Sequence, residues 1–477
     1  MDRMTFEQRV NEELAQSVDW LRHQRWFGDK ARTLESVRAE VAAVVKLESE
    51  QAVLLIVRCQ FDSGDDARYF MPVVGLLDPD TAGSSDPQLD SVRIRDALSD
   101  TSFLSWFLAG FQDGRTGEDS GTWRWHVEPG SKRDLALIDV ENTRILDVEQ
   151  SNTSILFDHR VMAKIFRRLQ SGINPDLEVT EYVTSVQNFA HVPKLLGTFD
   201  LNFQGEHIVL GALQQFVSNV GDGWSWLLEE LRRLSPDHLP QLAEEIGLLG
   251  RRTGELHVVL GAETDNEAFS PQPMSRQHAD ALQARVLDEL RETIDGLKQD
   301  GRHSDDELKH LDTRLRERLG AASALVGTLQ IRIHGDYHLG QVLRTLEDDF
   351  AIIDFEGEPS RTIEQRRQKA SPLRDVAGML RSLDYAIGAI RREVQNPEHN
   401  ELVRQWGDLA RTRFVDNYRE ALKTGDSRLI PDGDDDFAAG LHVLEIEKAL
   451  YETRYELNNR PDWLEIPARA LAQLAGA

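Results

Sequence analysis

The sequence predicts an α+β fold with a strand-rich N-terminal part and a mainly helical C-terminal part. Short apolar runs separated by turn residues recur as far as residue 217, which is typical of strands. From Gly223 onward, apolar residues recur at helical spacing instead. A strand–loop–strand unit at residues 331–357 interrupts the helical part and carries a cluster of polar side chains. This unit is the most informative stretch of the chain.

Length and charge limit the possible classes of protein. A chain of 477 residues is too long for one ordinary core, so two or three domains are expected. The net charge of −27 disfavours nucleic acid and anionic membranes as partners. The single cysteine, Cys59, excludes an intrachain disulfide and is expected to be a small buried apolar residue. The charged first residues and the lack of an apolar run near 18 residues predict a cytoplasmic protein without a membrane span.

Residues 1–88 are predicted to form a separate N-terminal subdomain. A helical pattern runs to residue 22, and Trp26 and Phe27 after it are expected to anchor a core. The strand-like runs that follow are residues 36–46, 51–61 and 67–77. The turn-forming composition of residues 81–88 marks the best early boundary. A helix leading onto a small antiparallel sheet is therefore expected here.

Residues 89–215 are predicted to hold an intermediate segment and a second group of strands. The strand-like runs are residues 136–140, 144–148, 154–157 and 161–166. The small polar loop QSNTS, residues 150–154, separates two of them and could close over a ligand as a hairpin. Its candidate phosphate contacts are Ser151, Asn152, Thr153 and Ser154. The loop lacks the glycines that let backbone N–H groups approach a phosphate closely.

Lys164 is the candidate phosphate-binding lysine. It lies in the apolar strand VMAKIF, where an ammonium group is costly unless it meets an anion. The phosphates of a nucleotide would be such an anion, with a carboxylate of the next helix as the steady partner. That helix begins near residue 174 and offers Glu178 first and Glu181 second. The alternative is an edge-strand lysine that points to water.

The third predicted segment, residues 216–477, begins at a connector between two groups of elements. The strand before it ends near residue 215, and a Gly-Asp-Gly turn follows at residues 221–223. A connector between two lobes presents backbone groups to an adenine ring in two-lobed kinases. The candidates for this role are Gln215, Phe216 and Val217.

The unit at residues 331–357 supplies the groups that phosphoryl transfer needs. Asp336 is followed five positions later by Gln341, and Asp354 ends the second strand eighteen positions after Asp336. Transfer from a nucleotide requires a carboxylate that orients the acceptor hydroxyl and oxygen ligands that hold magnesium on the phosphates. Asp336 is the candidate base, and Gln341 and Asp354 are the candidate metal ligands. The alternative is a chance His-Gly-Asp sequence with Asp354 as a turn former.

The last long helical stretch, residues 437–458, crowds aromatic and charged side chains into two turns. Aromatic rings cover the C–H faces of sugars while charged groups bind hydroxyls, so this stretch is a candidate acceptor site. The candidate contacts are Tyr451, Glu452, Arg454 and Tyr455, together with His338 of the central loop. A packing face between helices explains the same helical residues about as well.

Several motifs make the chain resemble the actinobacterial maltokinases, which are relatives of the aminoglycoside phosphotransferases. They are RWF from Arg25, Lys164, HGDYHLGQVLRT from His334, DFEGEP from Asp354 and SPLRDVAGMLRSLDYA from Ser371. The resemblance implies a two-lobed protein-kinase-like fold with an N-terminal cap subdomain and a mainly helical C-lobe, acting as a monomer. It also implies transfer of the γ-phosphate of ATP, with Mg²⁺, to the anomeric hydroxyl of maltose, giving maltose 1-phosphate for α-glucan synthesis.

The resemblance carries roles over by position. It makes Asp336 the base, Gln341 and Asp354 the metal ligands, Lys164 the phosphate lysine with Glu178 as its partner, and Glu356 a further metal contact. It leaves the acceptor open, because glucosamine kinases have similar caps and a similar DFEG end. An amino sugar needs carboxylates facing its ammonium, whereas maltose needs a longer groove with aromatic walls, and the C-terminal motifs favour maltose. A catalytically silent binding module is the remaining alternative, although it has no reason to keep all these residues.

Overall fold

The computed structural model describes residues 3–16, 18–30, 32–48, 50–75, 95–119, 121–146, 152–358 and 361–476. The chain forms two compact units. Unit 1 comprises Met1–Leu177 and Pro193–Phe216, and unit 2 comprises Glu178–Val192 and Val217–Ala477. Apart from residues 178–192, the first two predicted segments therefore belong to one compact unit. The predicted boundary at residues 81–88 lies outside the described residues.

Unit 1 is built on two antiparallel sheets. Its helices are α1 (Arg3–Gln16), α2 (Val18–His23), α3 (Thr101–Asp113), α4 (Lys132–Leu135) and α5 (Pro175–Glu181), the last of which continues into unit 2. Its strands are β1 (Leu34–Lys46), β2 (Gln51–Phe61), β3 (Ala67–Val74), β4 (Arg95–Asp96), β5 (Thr116–Glu118), β6 (Thr122–Val127), β7 (Thr143–Leu146), β8 (Asn152–Phe157), β9 (Val161–Phe166), β10 (Arg168–Leu169), β11 (Leu195–Phe203) and β12 (Glu206–Gln215). One sheet has the order β1-β2-β3-β10, with β4 also on β3, and the other has the order β5-β6-β11-β12-β9-β8-β7.

Strand β2 shows why the first sheet is buried on both faces. Leu55 and Val57 enter a core that also contains Leu14 of α1, whereas Leu54 and Ile56 enter a second core shared with the larger sheet. Successive side chains of a strand point to opposite faces, so a strand between two cores reads as a continuous apolar run. The predicted helix-and-sheet arrangement of the N-terminal segment is therefore confirmed. Cys59, Trp26 and Phe27 are buried, as expected.

Two local predictions for unit 1 are wrong. Residues 136–140 form no strand, because a helical turn precedes them and buries Leu135 and Ile138, which are three residues apart. Asn152, Thr153 and Ser154 lie in strand β8 rather than in a loop, and Ser154 pairs with Lys164 of β9. β-Branched Thr153 suits a strand, and pairing of the backbone with β9 holds Asn152 and Ser154 in the same strand. Ser151 lies outside the described residues.

Unit 2 is mainly helical, as predicted. Its helices are α6 (Gly223–Arg232), α7 (Leu239–Leu260), α8 (Arg276–Asp300), α9 (Asp305–Leu319), α10 (Ile363–Arg366), α11 (Leu373–Glu393), α12 (Pro397–Leu422), α13 (Asp434–Asn459) and α14 (Glu465–Ala475). Its strands are β13 (Asn219–Asp222), β14 (Gln272–Pro273), β15 (Leu329–Gln330), β16 (Val342–Thr345) and β17 (Phe350–Ile352), paired as β13-β16-β17 and β14-β15. None of the helices in the described ranges has both the length and the apolarity needed to cross a membrane.

The core of unit 2 fixes the loop between β15 and β16. Tyr337 in this loop is 2% exposed, and its hydroxyl lies 3.0 Å from Oγ1 of Thr253 in α7. Helix α11 approaches the same loop through Gly378, where a Cβ would lie only 2.6 Å from the carbonyl oxygen of Tyr337. Only glycine allows this approach. The loop is therefore held between two buried helices.

Candidate active site

Asp375, in the first turn of α11, holds the backbone of the central loop. Its carboxylate accepts hydrogen bonds from the N–H groups of His334 at 2.8 Å and Gly335 at 3.0 Å. It also lies 3.2 Å from Nε2 of His257, whose Nδ1 lies 3.0 Å from the hydroxyl of Tyr418. Burial raises the pKa of Asp375, but the contacts with His257 and the loop lower this pKa by a larger amount. The net shift of the pKa is therefore downward. An ionised, fully buried carboxylate therefore fixes the loop immediately before Asp336.

Asp336 is the charged centre of the loop. The ammonium of Lys448 in α13 lies 3.3 Å from its Oδ1, and Nε2 of His338 lies 4.0 Å from its Oδ2. Burial raises the pKa of Asp336, and the positive charge of Lys448 outweighs this effect with help from the two histidines, so the pKa is lowered. Asp336 is consequently ionised at neutral pH, as a group that orients an acceptor hydroxyl must be.

His338 presents a neutral imidazole to Asp336. Burial lowers its pKa, and the backbone N–H of Gly340 donates to its Nδ1 at 3.0 Å. The ring proton therefore resides on Nε2, the nitrogen nearer to Asp336. His338 also starts the short 3₁₀ turn Leu339–Gln341, which delivers Gln341 to its position. Its place beside Asp336 is consistent with its choice as an acceptor-contact candidate.

The three predicted metal ligands lie together in unit 2. Nε2 of Gln341 donates to Oδ2 of Asp354 at 2.9 Å, which leaves the amide oxygen of Gln341 as a metal donor. Carboxylate oxygens of Asp354 and Glu356 lie within 4.8 Å of one another. Asp354 adopts a left-handed backbone with φ of 69°, an uncommon conformation for a non-glycine residue that redirects the chain immediately after β17. An all-oxygen set of two carboxylates and one amide fits Mg²⁺.

Lys164 in unit 1 has a different partner from the predicted one. Its ammonium lies 3.3 Å from Oδ2 of Asp176, and Lys164 and Asp176 are 5% and 2% exposed. The alternative of a lysine pointing to water is therefore wrong. Asp176 and Glu178 are two positions apart in α5, which places them on nearly opposite faces of the helix. Of these two carboxylates, Asp176 is the one that faces Lys164.

Glu178 instead anchors the strand that leads into the central loop. Its Oε2 accepts from Arg332 at 2.7 Å, and its Oε1 accepts from Arg367 at 2.6 Å. Arg332 is only 1% exposed and precedes His334 by two residues. Burial raises the pKa of Glu178, but the two guanidinium groups lower it overall. Glu178 therefore has a positioning role within unit 2.

The candidate nucleotide contacts of unit 1 are partly engaged by the protein itself. Oγ1 of Thr153 accepts from Nε of Arg167 at 2.9 Å, and Asn152 and Ser154 are 9% and 2% exposed. These side chains are therefore not the open loop groups that the sequence predicts, because they belong to a paired strand. Ser151 lies beyond the described part of this loop.

The connector residues also use part of their backbone within the protein. The N–H of Gln215 donates to the carbonyl of Lys194, and that of Phe216 donates to the carbonyl of Arg160, both at 2.8 Å. An adenine contact from this connector would therefore involve its carbonyl groups or the N–H of Val217. The role of Gln215, Phe216 and Val217 remains a proposal.

The candidate acceptor residues of α13 divide between two faces of the helix. Tyr451 and Tyr455 stack with ring centroids 6.5 Å apart, and the ammonium of Lys448 lies 5.0 Å from the ring of Tyr451. Arg454 faces α8 instead, where its Nη1 donates to the carbonyl of Glu289 at 3.0 Å. Its choice as an acceptor contact is wrong, because it packs between helices.

Glu452 is occupied by an ion pair. Nη2 of Arg381 lies 2.8 Å from its Oε2, and Arg381 is only 1% exposed and also pairs with Asp384. Burial raises the pKa of Glu452, although Arg381 and Lys448 oppose this effect. Glu452 therefore balances a buried guanidinium beside the stacked tyrosines.

The sequence analysis did not identify Lys448, whose ammonium lies 3.3 Å from the carboxylate of Asp336. The two residues are 112 positions apart, so no local spacing connects them. Lys448 also lies 3.5 Å from Glu358, four residues after Asp354. The sequence does show that Lys448 precedes Tyr451 and Tyr455 by three and seven residues. This spacing places the lysine on the same helical face as the two candidate acceptor contacts.

Solved structures share the fold of nearly the whole chain. A glucosamine kinase in complex with glucosamine, ADP and inorganic phosphate matches with a TM-score of 0.67 at 22% identity, covering 94% of this chain and 96% of that one. Crystal form B of a glucosamine kinase matches with a TM-score of 0.67 at 23% identity, covering 94% and 95%. Residues 20–89 match the family model of the maltokinase N-terminal cap domain. The chain therefore has a kinase-like fold, and residues 20–89 are similar to a maltokinase-type cap.

Two curated relatives of this capped kinase-like protein bear the name glucosamine kinase. The protein of Streptacidiphilus jiangxiensis is 27% identical over 342 residues, which cover 70% of this chain and 74% of the relative. The protein of Mycolicibacterium smegmatis is 27% identical over 343 residues, which cover 69% and 79%. The predicted fold is confirmed by the structural matches.

Proposed function

We propose that this protein is a cytoplasmic sugar kinase that transfers the γ-phosphate of ATP to the anomeric hydroxyl of maltose. The products are maltose 1-phosphate, a precursor for α-glucan synthesis, and ADP. The fold shared with a glucosamine kinase whose complex holds glucosamine, ADP and inorganic phosphate supports transfer from a nucleotide to a sugar. The maltokinase-type cap supports maltose as the acceptor.

In this proposal, Asp336 acts on the acceptor. Its ionised carboxylate accepts a hydrogen bond from the anomeric hydroxyl and aims the hydroxyl oxygen at the γ-phosphorus. The new oxygen–phosphorus bond forms as the bond to the β-phosphate oxygen breaks, ADP leaves with the bonding electrons, and Asp336 receives the hydroxyl proton. His338, with its proton on Nε2, lies 4.0 Å from this carboxylate and faces the same site.

The nucleotide phosphates need positive charge. Lys164 is the candidate that binds them. Its ion pair with buried Asp176 fixes the position of the ammonium. Gln341, Asp354 and Glu356 would hold Mg²⁺, which neutralises charge on the departing phosphates when bound.

The position of Lys448 beside Asp336 favours a neutral acceptor. Its ammonium is 3.3 Å from the carboxylate that must receive the acceptor hydroxyl, so a second ammonium there would be repelled. The neighbouring carboxylates are already matched by cations. Glu358 lies 3.5 Å from both Lys448 and Arg374, and Glu452 is paired with Arg381. The stacked tyrosines one and two turns further along α13 offer aromatic faces to a sugar instead.

Glucosamine is the second candidate acceptor, because the curated relatives bear the name glucosamine kinase. An amino sugar would bring its own ammonium to the Lys448 side of Asp336. This candidate therefore requires that a carboxylate now paired with arginine turn toward the ligand.

An ATP-consumption assay with Mg²⁺ tests the proposal. Maltose, glucosamine, glucose and an aminoglycoside are supplied in separate reactions, and the phosphorylated product is identified by ³¹P NMR. We expect turnover with maltose and a phosphate on its anomeric carbon. Turnover with glucosamine alone would support the second candidate. No turnover with any acceptor, in folded protein that binds ATP, would support a catalytically silent module.

A further inference from the structure

Unit 2 contains a cavity that the residues of phosphoryl transfer do not line. Its volume is about 330 Å³, near the lower end of the range for small-molecule sites. Helices α8 and α13 line it together with residues 357–358, residues 361–371 and the first turn of α11. Asp336, Gln341, Asp354 and Lys448 are not among its lining residues.

The cavity is cationic in a strongly acidic protein. Five basic side chains line it, compared with two carboxylates, while the whole chain carries a net charge of −27. The basic residues are Arg285, Arg361, Arg366, Lys369 and Arg374, and the acidic residues are Glu358 and Glu447. Such a local reversal of charge attracts anions.

The two carboxylates are already neutralised. Glu447 is 4% exposed, and its Oε1 lies 2.8 Å from Nη1 of Arg285 and 3.1 Å from Nη2 of Arg374. Burial raises its pKa, but the surrounding guanidinium groups lower the pKa of Glu447 to about 2. Glu358 is 5% exposed and accepts from Nε of Arg361 at 2.5 Å. Glu447 is therefore ionised, both acids are paired with arginine, and the lining keeps its excess of basic side chains.

Lys369 contributes to this excess. Its ammonium donates to the backbone carbonyl of Glu267 at 2.7 Å, an acceptor that carries no net charge. Burial lowers the pKa of Lys369, and the charge of Arg332 lowers it further. The charge of Arg332 therefore adds to the positive potential at this end of the cavity.

We propose that this cavity binds the phosphate group of a small phosphate monoester. Guanidinium groups match the geometry of phosphate oxygens, and an excess of three positive charges suits a dianion better than a monoanionic carboxylate. Gly335 and Gly357 form part of the wall, with φ of 85° and 72°, and a Cβ on Gly335 would lie 3.3 Å from the Cα of Gly357. An occupant therefore contacts the backbone beside Asp336. This proposal stands independently of the acceptor sugar.

Isothermal titration calorimetry without nucleotide or Mg²⁺ tests the proposal. The probes are inorganic phosphate, glucose 1-phosphate and, as a monoanion, acetate. We expect the two phosphates to bind more tightly than acetate, with affinity that falls as salt is added. Tighter binding of glucose 1-phosphate than of inorganic phosphate would identify a metabolite site, and equal binding would identify a site for the phosphate group alone. Absence of binding by both phosphates would overturn the proposal.

Substitutions locate the bound phosphate. Lys369→Gln and Arg366→Gln should each weaken phosphate binding about tenfold, because each removes a charge-assisted contact. Lys423→Gln is the matched control, since this lysine of unit 2 is 71% exposed and lies outside the cavity. Unchanged affinity in both cavity variants, with folding verified by circular dichroism, would overturn the proposal. Loss of binding in Lys164→Met instead would place the phosphate at the nucleotide lysine and would also overturn it.

Discussion

Replacement of Lys448 by methionine is expected to change which acceptors the protein accepts. Methionine keeps an unbranched side chain of similar length on α13 but removes the ammonium that lies 3.3 Å from Asp336. If this charge excludes amino sugars, glucosamine should gain from the substitution and neutral maltose should not. Lys448→Arg keeps the charge and is the matched control.

The size of the effect follows from the distance between charges. A hydroxyl bound to Asp336 lies about 3 Å from the carboxylate, so an amino group on the neighbouring carbon lies about 6 Å from the ammonium of Lys448. Two unit charges about 6 Å apart repel by about 0.7 kcal/mol in bulk water and by about 3 kcal/mol at an effective dielectric constant of about 20. This repulsion corresponds to a discrimination of roughly 3-fold to 100-fold.

The assay compares kcat/KM for maltose and for glucosamine in the two variants and the unsubstituted protein. The maltose-to-glucosamine ratio should fall by roughly 3-fold to 100-fold in Lys448→Met and stay nearly constant in Lys448→Arg. A ratio that does not change on loss of the ammonium would show that the charge of Lys448 does not exclude amino sugars. Preference for glucosamine in the unsubstituted protein would show the same.

Four further substitutions test individual roles. Asp336→Asn should leave nucleotide binding nearly intact in calorimetry but lower kcat by orders of magnitude, and near-native turnover would show that Asp336 is not the base. Asp354→Ala should abolish the Mg²⁺-dependent part of nucleotide binding, measured by titration with and without Mg²⁺; an unchanged Mg²⁺ effect would reject this ligand. Glu178→Gln should destabilise the protein by roughly 3 kcal/mol in urea unfolding, because buried Arg332 loses a charged partner; equal stability would contradict that role. Glu447 has a folded pKa of about 2, below an unfolded value of about 4.3, so it contributes about 3 kcal/mol above pH 5 that disappears as the pH falls toward 2. Glu447→Gln should lose this stability at pH 7 and flatten the pH dependence of unfolding, and parallel pH curves for the two proteins would contradict the assignment.

The central loop was predictable because its parts are close in sequence. Asp336, Gln341 and Asp354 lie within one loop and the adjoining β16–β17 hairpin. Their spacing in the sequence is therefore almost enough to predict that they lie close together in the fold. The strands of the N-terminal segment were predictable for a similar reason, since each apolar run and each turn is a local signal.

Contacts between distant segments were not predictable from local patterns. The choice between Asp176 and Glu178 depends on which face of α5 meets Lys164, and that face is set by tertiary packing. Arg454 and Tyr451 are three positions apart, yet one packs on α8 and the other lies beside Lys448. In each case the direction of the side chain, which local patterns do not give, decides which group it contacts.

Identification of the product is the most direct test of phosphoryl transfer to maltose. The protein is incubated with ATP, Mg²⁺ and maltose, and the products are analysed by ³¹P NMR and mass spectrometry. We expect equal amounts of ADP and a maltose monophosphate whose phosphorus couples to the anomeric proton. Unchanged maltose beside phosphorylated glucosamine in a parallel reaction, or a phosphate on any other hydroxyl of maltose, would contradict this expectation.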